Sequence, residues 1–488
     1  MLIFIFIIGF MLLSSMAQRS SLLEKAGFAL PVGMAAVTLA MLLMDWAHIA
    51  LTRTSMTILT LTLLLAAIAA NGKKLLMLTH KRPSFHIAFN KSHLTWLNLL
   101  WLLMLMGVIW LEYVNISKCL IYPTYDRDSM AAFDTFGYVC AQEGTYLRMS
   151  LFDADYIPSL HHAGSAMSYV PMLPLSYAYL YIYGAATSKA IPALIYLGFL
   201  FGLYGLCRRR LTHTASMLAV LGVILTPEMT SFASHSITNV MHACVASAAI
   251  IYLCLWLERR EPFDLRLMAL MLAINVWMRA EGVVFIGVAL IFIFISLIRS
   301  HTSTPLPSAE GESVRPKSRW WAIALTALAV LPFLLWTVCS STCGLASEST
   351  LITHPFWDGD KLLTVWRGVY GLLGGSDYYG WTFNIALIML HVHIFYAIYL
   401  RLRHKPLRPE GLSLSHYLIW TIMIGIAGYV TVLYQVDYQW DSIQNVLDFS
   451  AKRFLFCFVP MAWFFSVSVV PMRKLATWFE RKCGIGNL

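Results

Sequence analysis

The sequence predicts an all-α polytopic membrane protein of about 13 transmembrane helices. Three observations carry that expectation. Hydrophobic residues make up 59% of the 488 and charged residues 12%, for a mean hydropathy of +0.68, where a soluble domain carries about 25% charged residues. Uncharged runs approaching the roughly 20 residues that a helix needs to cross a bilayer recur from end to end. The net charge of +10 sits in short stretches between those runs rather than along one face, which argues against a nucleic-acid surface.

The runs fall at 2–17, 27–51, 55–71, 95–114, 186–207, 212–229, 238–257, 264–279, 281–299, 320–341, 383–401, 414–434 and 454–472. The first lacks a basic region ahead of it and a small-residue cleavage site, so it reads as a retained helix. Residues 171–184 are too short and too rich in tyrosine to span, and suit a helix lying in the membrane interface. Charge tests that choice. With 171–184 flat, the basic loops around Lys73–Lys91, Arg208–Arg210, Arg259–Arg266, Arg315–Arg319, Arg401–Arg408 and Arg473–Lys482 share one side. Loops 115–185, 342–382 and 435–453, richer in Asp and Glu, share the other. If 171–184 crossed, the Arg208–Arg210 triplet would join the acidic loop, against the positive-inside rule. The acidic loops are therefore expected outside, with the N-terminus outside and the C-terminus cytoplasmic.

Three divisions follow. Residues 1–94 read as an additional three-helix membrane module with a basic cytoplasmic linker, 95–472 as the main transmembrane domain, and 473–488 as a basic tail. Residues 300–318 have the Pro/Ser-rich composition of a disordered cytoplasmic loop. No internal repeat or pair of inverted halves stands out, which weakens a secondary-transporter reading. Of the nine cysteines, Cys119 and Cys140, or Cys339 and Cys343, would bridge if their side is oxidising and otherwise remain free thiols.

Chemistry is concentrated in the polar interval 115–171. Asp126 and Asp128, two residues apart, cannot share a helix face. A helix is expected right after Asp128, where Met130, Phe133, Gly137 and Cys140 recur at three-to-four spacing. The residues alone favour Asp128 as the N-cap of that helix; the alternative is an exposed general base acting on a hydroxyl. His161-His162 with Asp153 and Asp155 is either a hydrated loop or a divalent-metal site. Asp45 and His48, inside the second run, read as helix-packing contacts.

Between Arg266 and Arg299, 32 residues must supply two crossings and a turn, where two full spans want about 40. The turn at Arg279-Ala280-Glu281-Gly282 is therefore expected to be recessed beside a cavity. Arg279 there either grips a phosphate or pairs with Glu281. Arg453 enters the last run from the same side, as a second cation or an interfacial anchor. His235 and Asn239 open the run at 238–257 from that side.

The order of these features resembles the GT-C superfamily of integral-membrane glycosyltransferases, which includes protein O-mannosyltransferases and the lipid A aminoarabinose transferase. The residues that carry the likeness are Asp128, Tyr169-Val170-Pro171-Met172-Leu173-Pro174, Gly184, Arg208–Arg210, Arg279-Ala280-Glu281-Gly282 and Ser450-Ala451-Lys452-Arg453. The resemblance spans 95–472 and rests on order and sidedness. It implies transfer of a sugar from a polyprenyl-phosphate or polyprenyl-diphosphate donor to a cell-envelope acceptor, on the extracytoplasmic face of the inner (plasma) membrane. It makes Asp128 the base, with Asp126 a shifted alternative, and gives the donor phosphate to Arg279 and Arg453. Glu281, Asn239, His162 and Tyr169 become supporting residues. A single base with no carboxylate nucleophile implies inversion. Two departures are plain: no Trp precedes the Asp, and Ser236-Ile237-Thr238-Asn239 stands where the family has an acid, which leaves the use of a divalent metal open. The competing readings are a flippase of lipid-linked glycans, or a polysaccharide polymerase or ligase working through His354, Asp358, Asp360 and Arg367.

Overall fold

The computed structural model describes residues 1–16, 20–72, 96–124, 126, 128–153, 169–302, 317–345, 352–353, 357–404, 412–437 and 442–482. Among the described residues the regular structure is helical apart from a two-residue antiparallel pair, Ile352–Thr353 with Val436–Asp437. In order come α1 (Leu2–Met16), α2 (Leu22–Trp46), α3 (Arg53–Ala70), α4 (Trp96–Ile121), α5 (Asp134–Glu143), α6 (Met172–Ile182), α7 (Ala190–Arg208) and α8 (His213–Ile224). Then follow α9 (Pro227–Phe232), α10 (Asn239–Arg259), α11 (Pro262–Met278), α12 (Val283–Thr302), α13 (Lys317–Leu328), α14 (Leu331–Thr342), α15 (Gly359–Gly374) and α16 (Ser376–Tyr379). Last are α17 (Thr382–Leu402), α18 (Leu412–Gln435), α19 (Ile443–Leu455), α20 (Phe458–Ser468) and α21 (Val470–Lys482).

Among the described residues nine helical stretches are long and apolar enough to cross a membrane, or ten if the bent pair α19–α20 makes one span. With the bent pair counted as one span, the shortfall from the expected 13 lies in three runs. Run 2–17 folds as 15 residues, run 212–229 stops after 12 ahead of Pro227, and run 264–279 becomes a 17-residue α11. Each is shorter than the roughly 20 residues that a crossing asks for.

α10 is the axis. Every residue of its apolar window is buried, between α7, α11, α18 and α20. Against it the chain bends by 51° between α19 and α20, and the Ser247 hydroxyl of α10 donates to the Cys457 carbonyl at that bend, 2.9 Å. A carbonyl released from a helix inside an apolar bundle needs such a donor. The N-terminal helices share this core rather than packing apart from it. A Cβ on Gly27 of α2 would lie 2.4 Å from the Gly202 nitrogen of α7, so the two backbones touch where neither side chain exists. Trp277 Nε1 of α11 donates to Thr38 Oγ1 of α2 at 2.9 Å, both buried.

Residues 171–184 form the 11-residue α6, too short to span. Met172 through Leu180 are all buried, so α6 is covered by protein along most of its length. Its tyrosines anchor internally: Tyr179 meets Thr60 of α3 at 2.9 Å and Tyr183 meets Thr57 at 3.0 Å. An aromatic residue with a polar tip serves an interface and a buried hydrogen bond equally well.

At one end of the bundle a buried charge knot joins three helices. Arg209, just beyond α7, reaches Glu24 of α2 at 3.2 Å and pairs closely with Asp264 of α11. Both carboxylates are almost wholly enclosed. Removing one partner of such a group leaves uncompensated charge, at a cost of about 3–5 kcal/mol. Arg209→Met is expected to lower the unfolding temperature in detergent sharply. Adding Glu24→Gln and Asp264→Asn should recover part of the loss, read by differential scanning fluorimetry.

Candidate active site

The far end of α10 holds the candidate residues. The chain reaches it through Asp45, in the last turn of α2, which ends at Trp46 and not at residue 51. The Asp45 carboxylate accepts from Thr145 Oγ1 (2.7 Å), the Tyr146 amide (2.8 Å) and the Leu147 amide (2.7 Å), and pairs with Arg148 (2.9 Å). It is therefore the anchor of the loop after α5, not a helix-packing contact. Gly144 lets the chain leave α5 in the left-handed region, φ +72°, and its carbonyl accepts from the Leu51 amide at 2.7 Å. At the other end of α5, Asp134 accepts from Tyr181 and Ser188, both at 2.6 Å, which ties α5 to α6 and to the residues before α7.

Ahead of α5 lies a π-helical turn, Ser129–Phe133. Its cap is Asp126: the Ser129 amide and hydroxyl donate to Asp126 Oδ2 at 3.0 and 3.1 Å. Asp128 makes no capping bond, which overturns its expected role as N-cap. It pairs instead with Arg453, whose Nη1 lies 2.8 Å from Oδ2. Arg453 follows a second π-helical turn, Val446–Ala451. Such turns carry one residue too many per turn, re-aim the side chains beside them and recur at functional sites.

The second pair is Arg279–Glu281. Arg279 has left the helix (φ −151°, ψ 138°), and its Nη2 and Nε donate to Glu281 at 2.7 and 3.2 Å. Nη1 reaches Thr238 Oγ1 at 3.5 Å, and the guanidinium stacks over the Phe454 ring with 5.1 Å to its centroid. Phe454 is the neighbour of Arg453, so the pairs are adjacent. Tyr169, stacked on Phe133 at 5.6 Å, lies within electrostatic reach of all four groups. Desolvation is the chief reason its phenol is raised above the ordinary value; Asp128 and Glu281 add to that, and Arg279 and Arg453 oppose it.

Asp126, Asp128, Arg279, Glu281, Arg453 and Tyr169 thus meet at one end of α10, and Asn239 opens that helix, buried. The hydroxyl that takes Arg279 belongs to Thr238, a residue that sequence reasoning passed over. His162, with His161 and Asp155, lies outside the described residues, as does His354. Asp358 caps α15, accepting from the Lys361 amide at 2.9 Å, a structural task. Cys119, Cys140, Cys339 and Cys343 are free thiols. Among the described residues no three His, Cys, Asp or Glu side chains gather to hold a metal ion, and the carboxylates of the cluster face guanidinium groups. Beside Asp126 lies a narrow cavity of about 10 Å³, lined by Lys118, Lys189 and His235 among others, with room for about one water.

Two neutralised pairs side by side form a charge-balanced patch that an incoming anion can rearrange, because both cations already sit where a third acceptor can compete for them. Compared with protein-family models, with curated protein sequences and with solved structures, the chain matches none.

Asp45→Ala is expected to lower stability by about 2–3 kcal/mol, the range for losing a hydrogen bond to a charged group. It should also speed tryptic cleavage after Arg148 in the detergent-solubilised protein, seen by intact-mass analysis. His235 lies 3.9 Å from Asp126. Burial lowers its imidazole below 6.5, against the pull of Asp126. A lowered folded-state pKa stabilises above the unfolded value and fades as pH falls. His235→Gln should therefore flatten the fall in thermal stability as pH drops below about 6.5, relative to the parent protein.

Proposed function

We propose that the chain is a membrane glycosyltransferase of the GT-C type, moving a sugar from a polyprenyl-phosphate or polyprenyl-diphosphate donor to a hydroxyl acceptor of the cell envelope. The observation that supports this most is the Asp128–Arg453 pair at 2.8 Å, beside the Arg279–Glu281 pair. It puts a carboxylate base against a cation, and a second cation next to both. The extracytoplasmic face of an inner membrane is the place the charge pattern favours for this end, with the N-terminus on the same side and the C-terminus cytoplasmic.

In this reading the donor phosphate competes for Arg453 and Arg279 and frees Asp128. Asp128 takes the proton from the acceptor hydroxyl, whose oxygen attacks the anomeric carbon as the bond to the phosphate oxygen breaks. The lipid phosphate leaves with its new charge against the two guanidinium groups, and one displacement inverts the anomeric centre. Asp126 keeps the turn in shape. The cluster stands at the end of α10, near Asn239, rather than at mid-helix, which speaks against a flippase whose site would lie at the midplane.

The test is transfer from a labelled polyprenyl-phosphate sugar by the purified chain. General-base removal costs about 10²–10⁴-fold, so Asp128→Asn should lose at least about a hundredfold in rate. Asp126→Asn keeps a capping oxygen and should leave stability and activity nearly unchanged, while Asp126→Ala, a lost cap, should cost about 1 kcal/mol of stability. Equal transfer by Asp128→Asn and the parent protein removes Asp128 as base. No transfer from any lipid-linked donor removes the glycosyltransferase reading.

A further inference from the structure

We infer that the opposite end of the bundle carries a binding site for the phosphate headgroup of an anionic membrane lipid, in the cavity between α21 and the turn joining α7 to α8. The cavity holds about 450 Å³, within the range of about 300–1,000 Å³ typical of ligand pockets. Four cations line it, Arg210, Arg473, Lys474 and Arg481, with the hydroxyls of Thr212 and Thr477, and among the described residues no carboxylate lines it. Glu258 compensates Arg210 at 2.7 Å, and Lys474 donates to the Tyr396 hydroxyl at 2.8 Å. Four basic side chains and two hydroxyls converging on one cavity match a multiply charged phosphate.

The way α21 is held makes this a membrane-facing site. Its buried Glu480 accepts from the Thr214 amide at 2.7 Å, capping the first turn of α8, so the helix docks through its acid while its basic side lines the cavity. On another face Leu475 and Phe479, at i and i+4, are 54% and 38% exposed. A helix with a basic face and an exposed apolar face lies in the plane of a membrane interface, at the depth of the headgroup phosphates. Trp478, which lines the cavity and is itself 54% exposed, gives acyl chains a surface at its rim, which favours a lipid over a free phosphate. The site is independent of the Asp128 cluster: α10, 21 residues long, runs between the two, a separation of about 30 Å.

The test compares phosphatidylglycerol with phosphatidylcholine on the purified full chain, by native mass spectrometry and by thermal shift. The chain should retain and be stabilised by phosphatidylglycerol. Each basic side chain near an anionic lipid contributes about fivefold, so Arg473→Ala/Lys474→Ala/Arg481→Ala should bind about a hundredfold more weakly. Arg473→Lys/Arg481→Lys keeps the charge and should bind within a few-fold of the parent protein; should the triple variant fail to fold, Arg481→Ala alone reads out as about fivefold. Equal phosphatidylglycerol binding by the alanine variants, or no preference over phosphatidylcholine, overturns the site. Inorganic phosphate at millimolar concentration that stabilises the chain as well as phosphatidylglycerol, and loses its effect in the same variants, overturns the lipid as its ligand.

Discussion

The arrangement around Asp128 depends on one carboxylate far from it in the chain, that of Asp45. An anion in the last turn of a helix meets the negative end of the helix dipole, so Asp45 is costly where it stands unless something compensates it. Two backbone amides, a threonine hydroxyl and Arg148 do so. What compensates Asp45 is thereby held in place. The loop 145–148 cannot move without exposing a buried charge, and it fixes the end of α5. Asp134 fixes the start of the same helix through Tyr181 and Ser188. With both ends of α5 tied, the π-helical turn before it has one orientation, and that turn sets where Asp128 points.

The same logic of compensation divides the bundle into two ends with different purposes. At the Arg209 end the carboxylates of Glu24 and Asp264 are nearly fully enclosed, and the knot is a rigid structural joint. At the Asp128 end the carboxylates keep about 40% of their side-chain surface open, Asp128 at 40% and Glu281 at 42%. The side chains of Arg279 and Arg453 are 19% and 21% exposed, so these pairs are part-buried and reach solvent through their carboxylates, whereas breaking the enclosed knot costs about 3–5 kcal/mol. Openness, more than charge, separates the two ends.

Much of this was legible in the sequence. Apolar runs give the helices, and the break at Arg279 follows from too few residues for two spans. What escaped was set by contacts between distant segments. Asp128 and Arg453 are 325 residues apart, and no local pattern links them. The two π-helical turns leave no periodicity to read. The tyrosines of α6 look alike to composition whether their hydroxyls meet headgroups or Thr60. The cap was readable in principle, since Asp126 and Ser129 stand three apart as a capping side chain and its amide do; the neighbouring Asp128 simply drew the same assignment.

That reassignment is what separates the two acids. Asp126 Oδ2 already accepts from the Ser129 amide and hydroxyl, and its other oxygen faces His235, so a proton taken up there would weaken the turn that positions its neighbour. Asp128 carries no such duty. Its described partner is the side chain of Arg453, a long cation that can follow a phosphate away and return. Of two carboxylates two residues apart, the one without a structural task is the one that can change its protonation without unmaking the site.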